Sequence, residues 1–193
     1  MEARRRVTVS NPTDAELVAA CLGGQKEAFD VIVERHRRHV YQLCYRFVGN
    51  HEDASDLAQD VFIRAYRGLK TFKSQSTLGT WLYRIGVNVC LNRVSLKAPK
   101  PESIDPLIAA SDRRVAARDE SATEALLRDE RAGQVRAAIA KLPKKQRATL
   151  VLRVYHDLPH EEIARILGSS VGAVKANFFH ALNNLKKLLR ESP

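Results

Sequence analysis

The stretch His160-Glu161-Glu162-Ile163-Ala164-Arg165-Ile166-Leu167-Gly168-Ser169-Ser170-Val171-Gly172-Ala173-Val174-Lys175 decides the architecture of the chain. His160 to Leu167 has the spacing of a short helix, Gly168-Ser169-Ser170 that of a tight turn, and Val171 to about Arg190 that of a longer helix. Ala164 is small where two helices must approach. Gly168 accepts the left-handed backbone that ends the first helix, and Ser169 or Ser170 can cap the second. Ile163, Leu167, Val171 and Val174 supply a shared apolar face. This is the pattern of a helix-turn-helix, whose second helix enters a DNA major groove with its N-terminal half towards base edges. Lys175, Asn177, Phe178 and His180 are the candidates there, with Ser170 at the helix start. Lys186, Lys187 and Arg190 can meet phosphates, which give salt-dependent affinity rather than sequence reading. A plain helical hairpin is the bland alternative. The small residue, the glycine turn and the basic second helix together favour DNA.

Upstream, Pro143 starts a helix from Lys144 to about Tyr155 with Ala148, Val151, Leu152 and Tyr155 inward. Thr123 to Lys141 reads as a further helix with Leu126, Leu127, Val135, Ile139 and Leu142 on one stripe. Before it the composition changes. Ala98-Pro99-Lys100-Pro101-Glu102 and Asp105-Pro106 break any helix. Asp112 to Thr123 holds no large apolar residue except Val115 and cannot bury enough surface to offset ordering entropy. Residues 98–122 are therefore read as a flexible linker between a domain at 1–97 and a domain at 123–193. The expected fold is all-α: two small helical domains, the C-terminal one a helix-turn-helix.

The N-terminal part is helical too. Asp14 can cap a short helix carrying Leu17, Val18, Cys21 and Leu22, ended by Gly23-Gly24. A long helix spans Gln25 to Val48, with Ala28, Phe29, Ile32, Val33, Val40, Leu43, Cys44 and Phe47 inward and Arg35, Arg37, Arg38 and Arg46 outward. The helix at about Glu52–Leu69 is polarised. Glu52, Asp53, Asp56 and Asp60 lie early and Arg64, Arg67 and Lys70 late, which complements the helix dipole. It is an ordinary solvated face or a docking surface for a basic partner. The polar loop Thr71–Thr77 follows, and Ser76 or Thr77 can cap a helix to about Asn92. That helix places Trp81 among Tyr83, Arg84 and Asn88, where rings offer stacking faces and amides can bond base edges. A tryptophan at helical spacing is also common core.

Composition narrows the class. With 193 residues, 32 Lys+Arg against 22 Asp+Glu and a formal charge of +10, the chain reads as globular and basic. The charge is +5 over 1–97, −2 over 98–125 and +7 over 126–193, so two basic segments flank an acidic one. Nucleic acid, an anionic membrane surface or an acidic protein fits that excess. No apolar run approaches the ~20 residues of a membrane span, and no apolar stretch with a small-residue cleavage site follows the basic segment Met1–Arg6, so a secretory signal is not expected. Cys21, Cys44 and Cys90 are too few and too scattered for a disulfide framework and fit a reducing cytoplasm.

The two segments resemble regions two and four of a bacterial RNA polymerase sigma factor of the extracytoplasmic-function group. The residues carrying the resemblance are Asp53-Ala54-Ser55-Asp56-Leu57-Ala58-Gln59-Asp60-Val61-Phe62-Ile63-Arg64-Ala65-Tyr66, Thr80-Trp81-Leu82-Tyr83-Arg84-Ile85-Gly86-Val87-Asn88, Glu161-Glu162-Ile163-Ala164 and Gly172-Ala173-Val174-Lys175. It implies that Asp53, Asp56, Gln59, Asp60 and Arg64 face the coiled-coil clamp of core RNA polymerase. It implies that Gly68, Phe72 and Asn88, with the loop Lys70–Ser76 (Lys70, Lys73 and Ser74 among them), pocket a base flipped from the minus-ten strand. Trp81, Tyr83, Arg84 and Asn92 would face the opening duplex, and the second helix of the helix-turn-helix would read the minus-thirty-five duplex. The linker would occupy the polymerase's RNA-exit path, and an anti-sigma protein is an implied third partner. Asn177 and Leu182 stand where the family often has Arg, so Phe178-Phe179 are expected to read by apolar contact. Pro159 stands where a capping Ser is common, so Asp157 is expected to cap instead.

An enzyme finds little support in the sequence. It has no phosphate-cradling glycine loop, no His-Glu-x-x-His and no calcium loop. His36, His39 and Cys44 share a helix, but with Val40 and Leu43 beside them packing explains them better than a metal. No cofactor, metal or small-molecule substrate is expected. The competing reading is a stand-alone dimeric helix-turn-helix regulator using 1–97 for ligand or partner binding.

Overall fold

The structure, a computed structural model, describes residues 12–96 and 122–190, with side chains over 12–94 and 130–190. The expected linker, apart from its last residue, lies outside the described residues. All regular elements described are helical: α1 (Asp14–Leu22), α2 (Glu27–Val48), α3 (His51–Gly68), a 3-10 turn (Leu69–Thr71), α4 (Leu78–Leu96), α5 (Ala122–Ala140), α6 (Lys144–Tyr155), α7 (His160–Leu167) and α8 (Val171–Arg190).

Local chemistry sets the helix ends. Thr13, not Asp14, caps α1: its hydroxyl accepts from the Glu16 amide at 3.3 Å, and the Glu16 carboxylate accepts from the Thr13 amide at 2.7 Å. Asp14 is thereby left to tie α1 to α2, accepting from Arg35 at 2.6 Å and lying 2.9 Å from Nε2 of His36. The Asn50 side chain accepts from the Asp53 amide at 2.8 Å and starts α3. Of the two candidates before α4, Thr77 is the cap, accepting from the Thr80 amide at 3.1 Å.

The N-terminal core is the buried face of α2 (Ile32, Val40, Leu43, Cys44, Phe47) against Ala54, Val61 and Ala65 of α3 and Leu82, Val87 and Cys90 of α4. Gly86 sits at the crossing. A β-carbon there would stand 2.7 Å from Leu43 and 3.7 Å from Val61, so only hydrogen fits. In the C-terminal half, Ala148, Val151 and Leu152 of α6, Ile163, Ala164 and Ile166 of α7, and Val174 and Ala181 of α8 are buried together. Gly168 has φ +58 and stops α7, and Ser170 caps α8 by accepting from the Ala173 amide at 3.2 Å. Asp157 does not cap α7. Its own φ is +50, and Pro159 takes the cap position without a side-chain bond, its carbonyl accepting from the Glu162 and Ile163 amides at 3.0 Å.

The two halves touch. The α6 helix lies on α2, and α7 lies on α4. Arg147 of α6, 5% exposed, reaches across to donate to the Phe47 carbonyl in the last turn of α2. The Arg46 guanidinium stacks 4.0 Å above the Tyr155 ring, Tyr83 meets Nδ1 of His156 at 3.0 Å, and Thr80 donates to Glu162.

The crossing at Gly86 yields a direct expectation. Gly86→Val forces branched carbons against Leu43 and Val61 and lowers unfolding free energy by roughly 1–3 kcal/mol, read by urea denaturation. Gly172→Ala, at a helical glycine with open space around it, leaves stability unchanged or slightly higher through helix propensity.

Candidate nucleic-acid and partner interfaces

Three outward surfaces follow from this packing. On α3 the inward residues fix which side chains point away. Asp56, Gln59, Ile63, Arg64 and Tyr66 are exposed, and Asp60 is partly so. Asp60 holds Arg64 through paired bonds of 3.0 Å one turn on, which raises the Arg64 pKa. Ile63 at 45% and Tyr66 at 46% exposure put apolar surface beside this charged stripe, a combination suited to burying a protein partner. Asp53 is turned elsewhere. It accepts from Arg93 of α4 at 2.5 Å and from the Asn50 amide group at 3.0 Å, and its side chain is only 17% exposed. The structure brings Asp56, Gln59, Asp60 and Arg64 together and separates Asp53 from them.

The second surface runs from the loop after α3 along α4. Phe72 packs on Trp81, ring centroids 5.3 Å apart. Gly68 lies beneath the indole, where a β-carbon would come within 3.7 Å. From Trp81 the spacing of three and four carries one stripe through Arg84, Asn88 and Asn92, all three exposed. Lys70, Lys73 and Ser74 are exposed in the loop, and Ser74 has the left-handed φ of +53. Aromatic, cationic and amide groups thus share one face, the combination that suits an unstacked strand. Tyr83 does not join it. Two residues beyond Trp81 it points around the helix to His156, and burial, then the Glu162 carboxylate, raises its phenol pKa.

The third surface is α8. Lys175, Ala176, Phe179, His180, Leu182, Asn183, Lys186 and Lys187 are exposed. Phe178 packs against the core and meets His160 edge-on at 5.9 Å, whereas Phe179 is 63% exposed and lies against His180. The adjacent phenylalanines therefore split: Phe178 holds the two helices of the motif together, and Phe179 faces out. Asn177 is half-buried. The sequence pairs the two as apolar readers; of the pair only Phe179, five residues on from buried Val174, is presented outward.

No metal cluster occurs among the described residues, and no helix there is long and apolar enough to cross a membrane. His36 serves Asp14, His39 is exposed and Cys44 is buried. All three cysteines are free thiols.

Residues 32–98 match the sigma-70 region 2 family and residues 132–185 match sigma-70, region 4. The RNA polymerase sigma-H factor of Pseudomonas aeruginosa is 35% identical over 183 residues, 92% of this chain and 94% of that one. The chain belongs to the sigma-70 family, in its extracytoplasmic-function (ECF) group. The ECF RNA polymerase sigma factor SigW of Bacillus subtilis is 34% identical, covering 87% of this chain and 92% of its own. The ECF sigma-E factor of Escherichia coli K12 is also 34% identical, covering 92% and 97%. A solved structure of CnrH in complex with the cytosolic domain of CnrY superposes with a TM-score of 0.65 at 27% identity, over 93% of this chain and 99% of that chain. RpoE of Bartonella quintana, solved with the anti-sigma factor NepR, shares the fold at TM-score 0.60 and 19% identity, over 86% and 98%. Membership supports the sigma reading over the stand-alone regulator.

Where the halves of this sigma factor meet, His156 is buried and its pKa is pushed down from 6.5 to about 4. Burial is the main cause. His39 and Arg46 of α2 add to it and Asp157 opposes it, while the Tyr83 hydroxyl of α4 contacts the ring. Between those two values a form with His156 exposed takes up a proton that the packed form refuses, so the contribution of neutral His156 to the packing is full above pH 6.5 and is lost as pH falls towards 4. Acidifying from pH 7.5 to 5 costs the contact roughly 1–2 kcal/mol. Small-angle scattering detects this as a larger radius at constant helix content, and His156→Gln flattens the dependence.

Proposed function

We propose that this chain is a transcription initiation factor that binds core RNA polymerase through α3 and opens promoter DNA through α4, with α8 reading the upstream element. In this reading residues 1–97 form region two, 98–122 the linker and 123–193 region four. The observation that carries it is the stripe Phe72, Trp81, Arg84, Asn88 and Asn92 beside the separate stripe Asp56, Gln59, Asp60 and Arg64: two surfaces of different chemistry on one three-helix core.

Opening a duplex costs on the order of 1–2 kcal/mol per base-pair step. Capturing an extruded base between Gly68, Phe72 and Asn88 offsets part of that and favours sequences whose bases fit. Lys70, Lys73 and Ser74 stand beside the captured strand, and the cations contribute affinity that falls with salt. On α8, Lys175, His180 and exposed Phe179 approach base edges, with Lys186 and Lys187 towards phosphates. Ser170 and Phe178 set the helix, and Asn177 stands behind them. Asp53 supports α3 and α4 through Arg93. Polymerase fixes the distance between the two DNA readers, so two weak contacts act as one stronger contact.

Sigma factors act by binding rather than by catalysis, and no cofactor or small-molecule substrate enters this role. An anti-sigma factor is a further partner: RpoE of Bartonella quintana was solved with one, and CnrH with the cytosolic domain of CnrY. The place of action is the bacterial cytoplasm, on the nucleoid, with retention at the inner membrane face where such a factor is anchored there.

The test is run-off transcription with purified core enzyme on candidate promoters. Asp56→Lys with Asp60→Lys weakens core binding at least tenfold in gel filtration and leaves free-chain melting unchanged. Phe72→Ala with Asn88→Ala leaves core binding intact and abolishes strand separation, read by 2-aminopurine fluorescence near the start site. Tight duplex binding as a free dimer that never joins core enzyme overturns the proposal.

A further inference from the structure

The cysteines take no part in the surfaces described above, and two of them meet. Cys44 of α2 and Cys90 of α4 are both fully buried, and the Cys90 thiol donates a hydrogen bond to the Cys44 sulfur. Both are free thiols.

The two helices come together closely at this point. A β-carbon on Gly79 would stand 3.8 Å from Cε1 of His36, and one on Gly86 would stand 2.7 Å from Leu43. From His36 to Leu43 and from Gly79 to Gly86 is seven residues on each helix, so α2 and α4 run side by side in the same direction. Cys44 follows Leu43 directly, and Cys90 lies one turn beyond Gly86. Packed helix axes ordinarily lie about 8–10 Å apart, depending on the side chains at the contact. A disulfide spans α-carbons about 4–7 Å apart. A glycine at the crossing brings two helices towards that range.

We propose that Cys44 and Cys90 are a disulfide-forming pair oxidised by hydroperoxides, and that closing the bond turns the strand-facing side of α4 and suppresses promoter opening. The bond belongs to the N-terminal helices alone, whereas its effect on opening rests on the proposed sigma role.

The chemistry balances in two steps. The Cys90 sulfur attacks one oxygen of the peroxide, the O–O bond breaks, and water leaves with the thiol proton, giving a sulfenic acid. The Cys44 sulfur then attacks the Cys90 sulfur, the S–O bond breaks, and a second water leaves with the Cys44 proton. Two thiols are oxidised and one hydrogen peroxide is reduced to two waters. The thiolate is the reactive form. The hydrogen bond to Cys44 and burial hold the Cys90 thiol above its usual range, and the Arg147 guanidinium opposes them. Reaction is therefore slow at neutral pH, and the pair answers to sustained oxidant.

The same crossing explains why the bond would be felt outside the core. Bonded sulfurs lie about 2 Å apart, closer than hydrogen-bonded ones. The helix axes have no room to approach further, because Leu43 already fills the space over Gly86. Closure is instead taken up by a turn of α4 about that seat. Asn88 and Asn92 flank Cys90 two residues to either side and are exposed on the strand-facing stripe, so they move with it. The exposed stripe of α3 is not cross-linked and keeps its place.

The full chain carrying Cys21→Ser is treated with hydrogen peroxide under native conditions, freed of oxidant, and a portion is unfolded and alkylated. The expected product is two hydrogens lighter than the reduced chain, resists alkylation and yields a cross-linked peptide pair holding Cys44 and Cys90. It binds core RNA polymerase as the reduced chain does. Strand separation, read by 2-aminopurine fluorescence, falls about tenfold or more and returns with dithiothreitol. Cys90→Ala in the same background keeps its opening after peroxide; where that variant loses helix content, Cys44→Ala takes its place. Thiols that remain open to alkylation after sustained peroxide overturn the proposal, as do bonds formed only between chains. A complete internal bond with opening unchanged overturns the switch, and so does an equal loss of opening in the single-cysteine variants. An internal bond in a chain that never joins core enzyme supports the disulfide site and overturns the sigma role instead.

Discussion

Gly86 is the point on which the N-terminal half turns. A methyl group there would stand 2.7 Å from Leu43, so α4 approaches α2 as closely as two backbones and one leucine permit. That approach fixes the rotation of α4 about its axis. Because Leu82, Val87 and Cys90 must face inward, Trp81, Arg84, Asn88 and Asn92 fall on one outer line. The same core sets α3, whose buried Ala54, Val61 and Ala65 leave Asp56, Gln59 and Arg64 outside. Two surfaces of opposite chemical character follow from one packing constraint.

The electrostatics divide the same way. Exposed ion pairs such as Asp60 with Arg64 are worth little on their own; their use is in presenting an ordered pattern of charge. The inward pairs do structural work: Asp14 joins α1 to α2, and Asp53 joins α3 to α4 through Arg93. Between the halves lies the costly case, a guanidinium buried against carbonyls. Cys90 beside it stays a neutral thiol, first through its hydrogen bond with Cys44 and then through burial.

Much of this was legible from spacing. The turn Gly168-Ser169-Ser170, the polarised α3 and the break before α4 announced themselves because local backbone chemistry decides them. The rest depended on partners distant in sequence. Asp14 looks like a cap and is one residue too late, because Thr13 and Glu16 form the reciprocal pair. Asp53 looks like one more surface acid until Arg93, forty residues on, takes it. Tyr83 reads as a neighbour of Trp81, yet the two diverge around the helix. Arg147 carried a faint signal, a charge on the apolar stripe of α6 four residues before Val151, but nothing local says that a carbonyl one hundred residues away receives it.

The chain has a single tryptophan, and it is half-buried against Phe72 above Gly68. Intrinsic tryptophan emission therefore comes from one place, the rim where α3, the loop and α4 converge. A nucleobase sliding over that indole would quench it, and a peptide covering it would shift its colour. The molecule thus carries an unlabelled optical gauge of whatever settles on its strand-facing edge.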